Sequence, residues 1–183
     1  MTRLSDHAMH ALSRCWRGLG EGSAAQAAAS AADPSPSAPS ALLPLPQGER
    51  ARECGARLAH AAERLIGTPF RLHGRDPERG LDCIGLVIAA LETVGRRVRV
   101  PLYRLRMREI GELVASASEA GLVEASGPIR PGDVLLVRPG PAQHHLAIAG
   151  RAGGFVHAHA GLGRVVITPA PLPWAEERRW RLA

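Results

Sequence analysis

Lysine and asparagine are absent from this 183-residue chain, so that all 23 of its basic side chains are arginine. Aromatic residues make up only 3%, which leaves few side chains for stacking on bases, and we expect no specific nucleic-acid partner. No run of about 18 apolar residues occurs, so no membrane-spanning segment is expected either. The three cysteines are too few, and odd in number, to indicate a disulfide framework.

Six of the arginines cluster between Arg96 and Arg108. Such a cluster is compatible with binding to nucleic acid or another polyanion, including a carboxylate-rich cell wall. The scarcity of aromatic residues favours a solvated connection instead. The first 20 residues contain charges and histidines and lack an apolar core, so we expect synthesis in the cytoplasm without a signal peptide.

The first 48 residues differ in composition from the rest of the chain. Residues 23–48 are rich in Ala, Ser and Pro, and such a segment cannot bury enough apolar surface to offset its chain entropy. We therefore predict a low-complexity, disordered extension over residues 1–48 and one folded domain over residues 49–183.

Helical periodicity is confined to the first part of this predicted domain. Apolar residues recur with a period near 3.6 from Leu58 to Ile66, and further helices are predicted over about 83–94 and 108–120. After Pro131, short β-rich runs separated by Gly and Pro predict an antiparallel sheet of about five strands, with residues 178–183 as an edge strand. Helices followed by such a meander indicate an α+β fold.

Cys83 opens the second predicted helix. Asp82 before it is a favourable N-cap residue, so the thiol would lie at the positive end of the helix dipole, which favours the nucleophilic thiolate. The unpaired N–H groups of that helix end, Cys83 N–H among them, would stabilise an oxyanion, and Gly85 leaves the first turn uncrowded. The pattern predicts a nucleophile and an oxyanion donor at one position; a small apolar filler at a helix start is the alternative.

Four histidines fall on two neighbouring predicted strands. Alternate residues of a strand share a face, so His157 and His159 point the same way, and His145 points opposite to His144. A hairpin near residues 151–154 would make His145 and His157 cross-strand neighbours, which would supply a thiol nucleophile with a base and an orienting partner. We expect surface positions for the other four histidines: His7, His10, His60 and His73.

Two other interpretations of the strand histidines are open. Three or four imidazoles on adjacent strands are typical zinc ligands, but no Asp or Glu lies among them to complete the coordination shell. They would also be compatible with a purely structural role. The catalytic interpretation is favoured, and no metal is expected.

Several stretches of the chain together resemble the NlpC-type cell-wall peptidases. They are RLIGTPFRLHG, GLDCIGLVIAAL, RPGDVLLVR, HHLAIAG and GGFVHAHAGLGRVVITPAP. Their order is that of the family: an Asp-Cys-x-Gly helix, a Pro-Gly-Asp-Val strand and two histidine strands. The resemblance covers about residues 50–183 and is closest to the tail peptidases of phages and gene transfer agents.

This resemblance implies a papain-like α+β fold, no cofactor and a Cys-His-His triad. Carried over by motif, Cys83 is the nucleophile, His145 the general base and His157 the orienting residue, with His159 as the alternative for that third role. The implied reaction is hydrolysis of the bond between γ-D-glutamate and a diamino acid, usually meso-diaminopimelate. The expected partners are peptidoglycan stem peptides and the proteins of a phage-like tail, which would carry the enzyme to the periplasm or cell wall.

Two positions depart from the family's motifs. Ile84 stands where Ser is frequent, and Phe70 stands where Tyr is frequent, which removes a hydroxyl that would help the oxyanion site. The change at Phe70 and the atypical N-terminal segment leave open a second function, that of a structural or wall-binding tail protein that keeps the fold with weak catalysis. An acyltransferase or amidase acting through the same triad is a third.

Overall fold

The computed structural model describes residues 47–98, 111–141 and 143–183. Residue contacts separate Ala51–Ala183 as one unit from the residues before it. The disordered extension expected over residues 1–48 lies almost entirely outside the described residues and stays a prediction. The arginines from Arg99 to Arg108 also lie outside them.

Three α-helices and eight strands occur in the described ranges. The helices are α1 (Gln47–Glu63), α2 (Cys83–Thr93) and α3 (Gly111–Glu119). The strands are β1 (Arg75–Asp76), β2 (Gly80–Leu81), β3 (Leu122–Glu124), β4 (Val134–Gly140), β5 (Gln143–Ala149), β6 (Phe155–His159), β7 (Arg164–Thr168) and β8 (Ala175–Leu182). The helix predicted to begin at Cys83 is confirmed, and the one predicted over about 108–120 is present as α3, although residues 108–110 are not described.

Six strands form one antiparallel sheet, and β1 and β2 form a separate two-stranded ribbon. The order in the large sheet is β3-β8-β4-β5-β6-β7. The expected α+β class is confirmed, but the described residues contribute six strands to the sheet instead of about five. The strand that sequence reasoning did not include is β3, whose three residues are too short to show an alternating pattern.

The C-terminal strand β8 lies inside the sheet, between β3 and β4. The expectation of an edge strand over residues 178–183 is therefore wrong. Its position is stabilised by Asp133, a fully buried carboxylate just before β4, which accepts two hydrogen bonds of 2.7 Å from the Arg181 guanidinium. Such a buried bidentate pair fixes two strands relative to each other more strongly than a surface ion pair would.

The two faces of the sheet bury different partners because successive side chains of a strand alternate. On one face, Val134, Leu146 and Trp180 line a small cavity together with Ile88 of α2 and Leu113 of α3. The opposite face carries a smaller buried cluster against which Leu172 and Trp174 pack: Leu135, Val137, Ala147, Ala149 and Phe155. None of the described helices is long and apolar enough to cross a membrane.

Candidate active site

The start of α2 is held in place by the carboxylate of Asp82, which is buried and caps the helix. Its Oδ1 accepts hydrogen bonds from the Gly85 N–H and from Arg75 Nη1, each at 2.8 Å, and its Oδ2 accepts one from the His73 N–H at 2.8 Å. Asp82 therefore ties the preceding loop to the first helical turn. This arrangement fixes the backbone that carries Cys83.

Gly85 makes the same junction sterically possible. A Cβ atom at this position would lie 1.9 Å from the carbonyl oxygen of Gly74, a distance that real side chains do not tolerate. The loop that precedes α2 thus packs directly on the helix backbone, and the Asp-Cys-x-Gly spacing has a local physical cause.

The thiol of Cys83 is half-buried and free of any disulfide. Burial raises its pKa to about 11, although backbone hydrogen bonds from Leu146 and Ile84 act to lower it. The helix N-terminus acts in the expected direction, but the expected thiolate does not result, because the loss of water around a charged sulfur outweighs the favourable backbone groups. Cys83 is a neutral thiol at neutral pH.

His145 of β5 and His157 of β6 form a hydrogen-bonded pair. His145 Nε2 lies 3.0 Å from His157 Nδ1, and the two rings are perpendicular with centroids 5.1 Å apart. The register places Ile148 opposite Val156, so the two imidazoles are diagonal neighbours on one face of the sheet. The predicted proximity of these two side chains is confirmed.

The imidazole of His157 continues the hydrogen-bonded chain in the other direction. Its Nε2 lies 2.8 Å from the hydroxyl oxygen of Thr168, at the end of β7. His159, the alternative for the third role, instead uses Nδ1 to accept the Leu162 N–H at 3.1 Å at the start of a short 3-10 helix. The geometry therefore gives His157 the direct contact with His145.

Trp174 covers both members of the histidine pair. Its ring meets that of His145 at a centroid distance of 5.5 Å and that of His157 at 5.2 Å, both nearly perpendicular. Burial lowers the pKa of each histidine to about 4. The imidazoles of His157 and His159 add to this effect at His145, and that of His159 adds to it at His157. Both rings are neutral at neutral pH.

Of the remaining described histidines, His144 alternates with His145 along β5 and lines the same cavity as the pair, and its Nε2 lies 3.0 Å from a carboxylate oxygen of Glu177. His60 and His73 are exposed, as predicted. His7 and His10 lie outside the described residues.

Cys83, His145 and His157 line one cleft of about 320 Å³. Most of the other lining side chains are apolar, among them Phe70, Ile84 and Trp174. Within the three described ranges, no group of three or more His, Cys, Asp or Glu side chains is arranged to hold a metal ion. One ring nitrogen of each histidine of the pair, His145 Nε2 and His157 Nδ1, is engaged in their mutual hydrogen bond.

Two residues of the site, Thr168 and Trp174, were not found by sequence reasoning. Both follow the histidine strands in an unremarkable context, RVVITP and PLPW. Alternation along β7 puts Thr168 and Val166 on one face, but only the β6–β7 pairing shows that this face is shared with His157. No local signal identifies Trp174, which reaches the pair from the connection between β7 and β8.

A helix-start thiol thus shares one cleft with a hydrogen-bonded histidine pair on an α+β scaffold. The model of the NlpC/P60 family matches residues 67–180. This match covers more than half of the chain, and the chain belongs to that family.

Individual proteins that are similar to this chain share 20–28% sequence identity with it. Protein P54 of Enterococcus faecium is 28% identical over 104 residues, which are 57% of this chain and 18% of P54. NlpC2 of Trichomonas vaginalis has a similar structure with a TM-score of 0.51 and 20% identity, over 69% of this chain and 47% of NlpC2. The peptidoglycan hydrolase RipB of Mycobacterium tuberculosis aligns with a TM-score of 0.50 and 20% identity, over 79% of this chain and 71% of RipB. This chain thus spans less than half the length of NlpC2 and less than a fifth of that of P54.

Proposed function

We propose that this protein is a cysteine peptidase that hydrolyses peptidoglycan stem peptides between γ-D-glutamate and a diamino acid, usually meso-diaminopimelate. The observation that carries the proposal is that Cys83 and the bonded pair of His145 and His157 line the same cleft. Membership of the NlpC/P60 family supports it, as does the similarity in fold to RipB, which is named a peptidoglycan hydrolase.

Attack starts from a neutral thiol and a neutral imidazole. The pKa of His145, lowered to about 4 by burial, leaves a lone pair on the ring at neutral pH. Because His145 Nε2 is engaged with His157, Nδ1 is the atom that takes the proton from Cys83 while the sulfur attacks the amide carbonyl carbon. The thiolate forms during the attack and is not stored beforehand.

The carbonyl oxygen gains negative charge in the tetrahedral intermediate. In the first turn of α2, the Gly85 N–H is taken by Asp82 and the Ile84 N–H interacts with the sulfur, so the Cys83 N–H is the amide that receives the oxyanion. Phe70 lines the cleft without a hydroxyl to add to it.

The second half of the reaction uses the same base. The His145 imidazolium gives its proton to the leaving amine as the carbon–nitrogen bond breaks, which leaves an acyl-enzyme on Cys83. A water molecule then loses a proton to His145 Nδ1 and attacks the thioester. The thioester bond breaks, His145 returns its proton to the Cys83 sulfur, and the carboxylic acid product gives its remaining proton to solvent and leaves as the carboxylate.

Digestion of purified diaminopimelate-type muropeptides, analysed by mass spectrometry, tests the proposal. The wild-type protein is expected to release fragments that end in L-Ala-D-Glu. Cys83→Ala and His145→Ala are expected to lose at least about 10³-fold in rate, since each removes a partner of the proton transfer. His60→Ala, a change at an exposed histidine of α1, is the matched control and should leave the rate unchanged.

A second function is favoured by two observations at the site. Phe70 offers no hydroxyl, and burial raises the pKa of the Cys83 thiol to about 11, both of which would reduce the rate. These features fit a structural or wall-binding tail protein that retains the fold. Absence of cleavage by the wild-type protein, on free muropeptides and on intact sacculi alike, would favour this second function over the first.

The site of action is also part of the proposal. The motif resemblance is closest to phage and gene-transfer-agent tail peptidases, so we propose that a phage-like tail carries the protein to the periplasm or cell wall. Co-purification with tail particles would support this location, and its absence from such particles would contradict it.

A further inference from the structure

The hydroxyl of Thr168 ends a hydrogen-bonded chain that begins at His145. Thr168 lies across from Phe155 in the β6–β7 pairing, and His157 is two residues further along β6. Thr168 and His157 are therefore diagonal neighbours on one face, a separation that side chains of this size span. The resulting distance from His157 Nε2 to Thr168 Oγ1 is 2.8 Å.

The two contacts of this chain couple the tautomers of the histidines. A neutral imidazole carries one N–H, on either Nδ1 or Nε2. If His157 carries its proton on Nε2 and donates it to Thr168, its Nδ1 accepts from His145 Nε2–H, and His145 keeps a lone pair on Nδ1. If Thr168 donates to His157 Nε2, both histidines carry their protons on Nδ1, and His145 has no lone pair there for the Cys83 proton.

Because His157 is buried, the choice between its two tautomers depends on which ring nitrogen has a hydrogen-bond partner. His157 is 1% exposed, so water is a poor substitute for a missing acceptor at its Nε2–H, and an unpaired buried donor is unfavourable. Without a hydroxyl at position 168, the other tautomer of His157 places the N–H on Nδ1, where it has a partner in His145. That tautomer is the one in which His145 cannot act as a base through Nδ1.

We propose that Thr168 is a positioning residue: as the acceptor for His157 Nε2–H, it holds His157 in the tautomer that leaves His145 Nδ1 free to take the thiol proton. Its catalytic consequence rests on the proposed peptidase function, whereas its effect on the tautomers does not. Thr168 itself touches neither the sulfur nor the scissile bond in this mechanism.

Polar groups from two elements face the histidine pair. They lie at the start of α2 and on β6, and Trp174 closes the apolar side. The titratable neighbours are Asp82, Cys83 and His159. The Thr168 hydroxyl is the group for which a hydrogen bond with His157 Nε2 is observed, at 2.8 Å.

The experiment compares wild-type protein, Thr168→Val and Thr168→Ser in two independent measurements. Valine keeps the volume and branching of threonine without the hydroxyl, and serine keeps the hydroxyl. Thr93→Val, the same chemical change at the far end of α2, is the matched control. Nitrogen-15 shifts of the histidine rings, assigned with a His157→Gln variant, report the tautomers, and steady-state kinetics on muropeptides report kcat and KM.

We expect Thr168→Val to move the proton of His157 from Nε2 to Nδ1 and to lower kcat by about 10²-fold with KM nearly unchanged, because a wrongly placed proton disables the base. Thr168→Ser should restore both the tautomer and most of kcat, and Thr93→Val should match wild type. If Thr168→Val does not fold, Thr168→Ala carries the same expectations.

An unchanged His157 tautomer in the folded valine or alanine variant would overturn the proposal, as would a wild-type kcat. If the proposed peptidase function is wrong, the results differ. The wild-type protein would fail to cleave muropeptides, while the ring-nitrogen shifts would still show whether Thr168 sets the tautomer of His157. The two failures are therefore distinguishable.

Discussion

At position 83, the helix terminus and the surrounding protein act on the thiol in opposite directions. The N-terminus of α2 and the backbone N–H groups of Leu146 and Ile84 favour a thiolate, whereas burial favours the neutral thiol and raises the pKa to about 11. Exposed helix-start thiols ionise readily, but this one is only partly accessible to water. The protein therefore relies on the neutral His145 for proton removal at the moment of attack.

Alkylation of Cys83 by iodoacetamide measures this balance. Because the thiolate is the reactive form, the rate at pH 7 should fall below that of a free thiol of pKa about 8.5. It should then rise by about tenfold per pH unit up to about pH 10, since the fraction of thiolate grows in that proportion below the pKa. Mass spectrometry of the Cys83 peptide between pH 6 and 10 gives the rates.

Cys83→Ala reports any reaction of the reagent at other positions in the same samples. A plateau of the Cys83 rate at or below pH 8 would show that the helix terminus outweighs burial, contrary to our expectation.

At the scale of secondary-structure elements, the junction between the loop and α2 decides where the nucleophile lies. Asp82 connects the loop to the helix by three hydrogen bonds, and Gly85 lets the carbonyl of Gly74 approach the helix backbone. Sequence reasoning placed the helix start and the N-cap correctly because both depend on neighbouring residues. It did not show that the loop folds back on Gly85, since that contact joins residues eleven positions apart.

Gly85→Ala is expected to lower the free energy of unfolding by about 1–3 kcal/mol, because the added Cβ would lie 1.9 Å from Gly74 O and force backbone movement. Activity should fall as well, since the same movement displaces Cys83. Urea denaturation and the muropeptide assay measure the two effects.

Gly111→Ala in α3 is the control, because no atom of the described ranges lies within 4 Å of a Cβ built there. Its stability should be unchanged or slightly higher, as alanine favours helix over glycine. Equal effects of the two substitutions would contradict the role assigned to close packing at Gly85.

On the scale of the whole molecule, the neutral histidine pair makes folding dependent on pH. His157 has a pKa of about 4 in the folded protein against an ordinary value of 6.5, so the unfolded chain binds the proton more readily. Its contribution to stability is therefore complete above about pH 6.5 and is lost as the pH falls through 4.

The free energy of unfolding should thus fall by about 1–2 kcal/mol between pH 7 and pH 5 on account of His157, beyond the part due to His145. Urea titrations at several pH values in this window measure it. His157→Gln, whose side chain does not titrate, should show a correspondingly smaller loss over the same range. If the two proteins lose equal stability between pH 7 and pH 5, His157 does not contribute as described.

Several features of this protein were determined by the sequence itself. The α+β class, the start of α2 at Cys83 and the shared face of His145 and His157 follow from periodicity, capping residues and strand alternation, which are properties of neighbouring residues. They are confirmed in the structure. The catalytic roles of these residues remain predictions that the proposed experiments test.

Other features depended on the tertiary structure alone. Strand pairing placed β8 inside the sheet and brought Thr168 to His157, because hydrogen-bond register joins segments that no local pattern relates. Burial set the protonation of Cys83 and of the two histidines, since the loss of water around a side chain depends on every element that packs over it. The sequence thus identified the candidate side chains, and the packing of distant segments decided their hydrogen-bond partners and their charge.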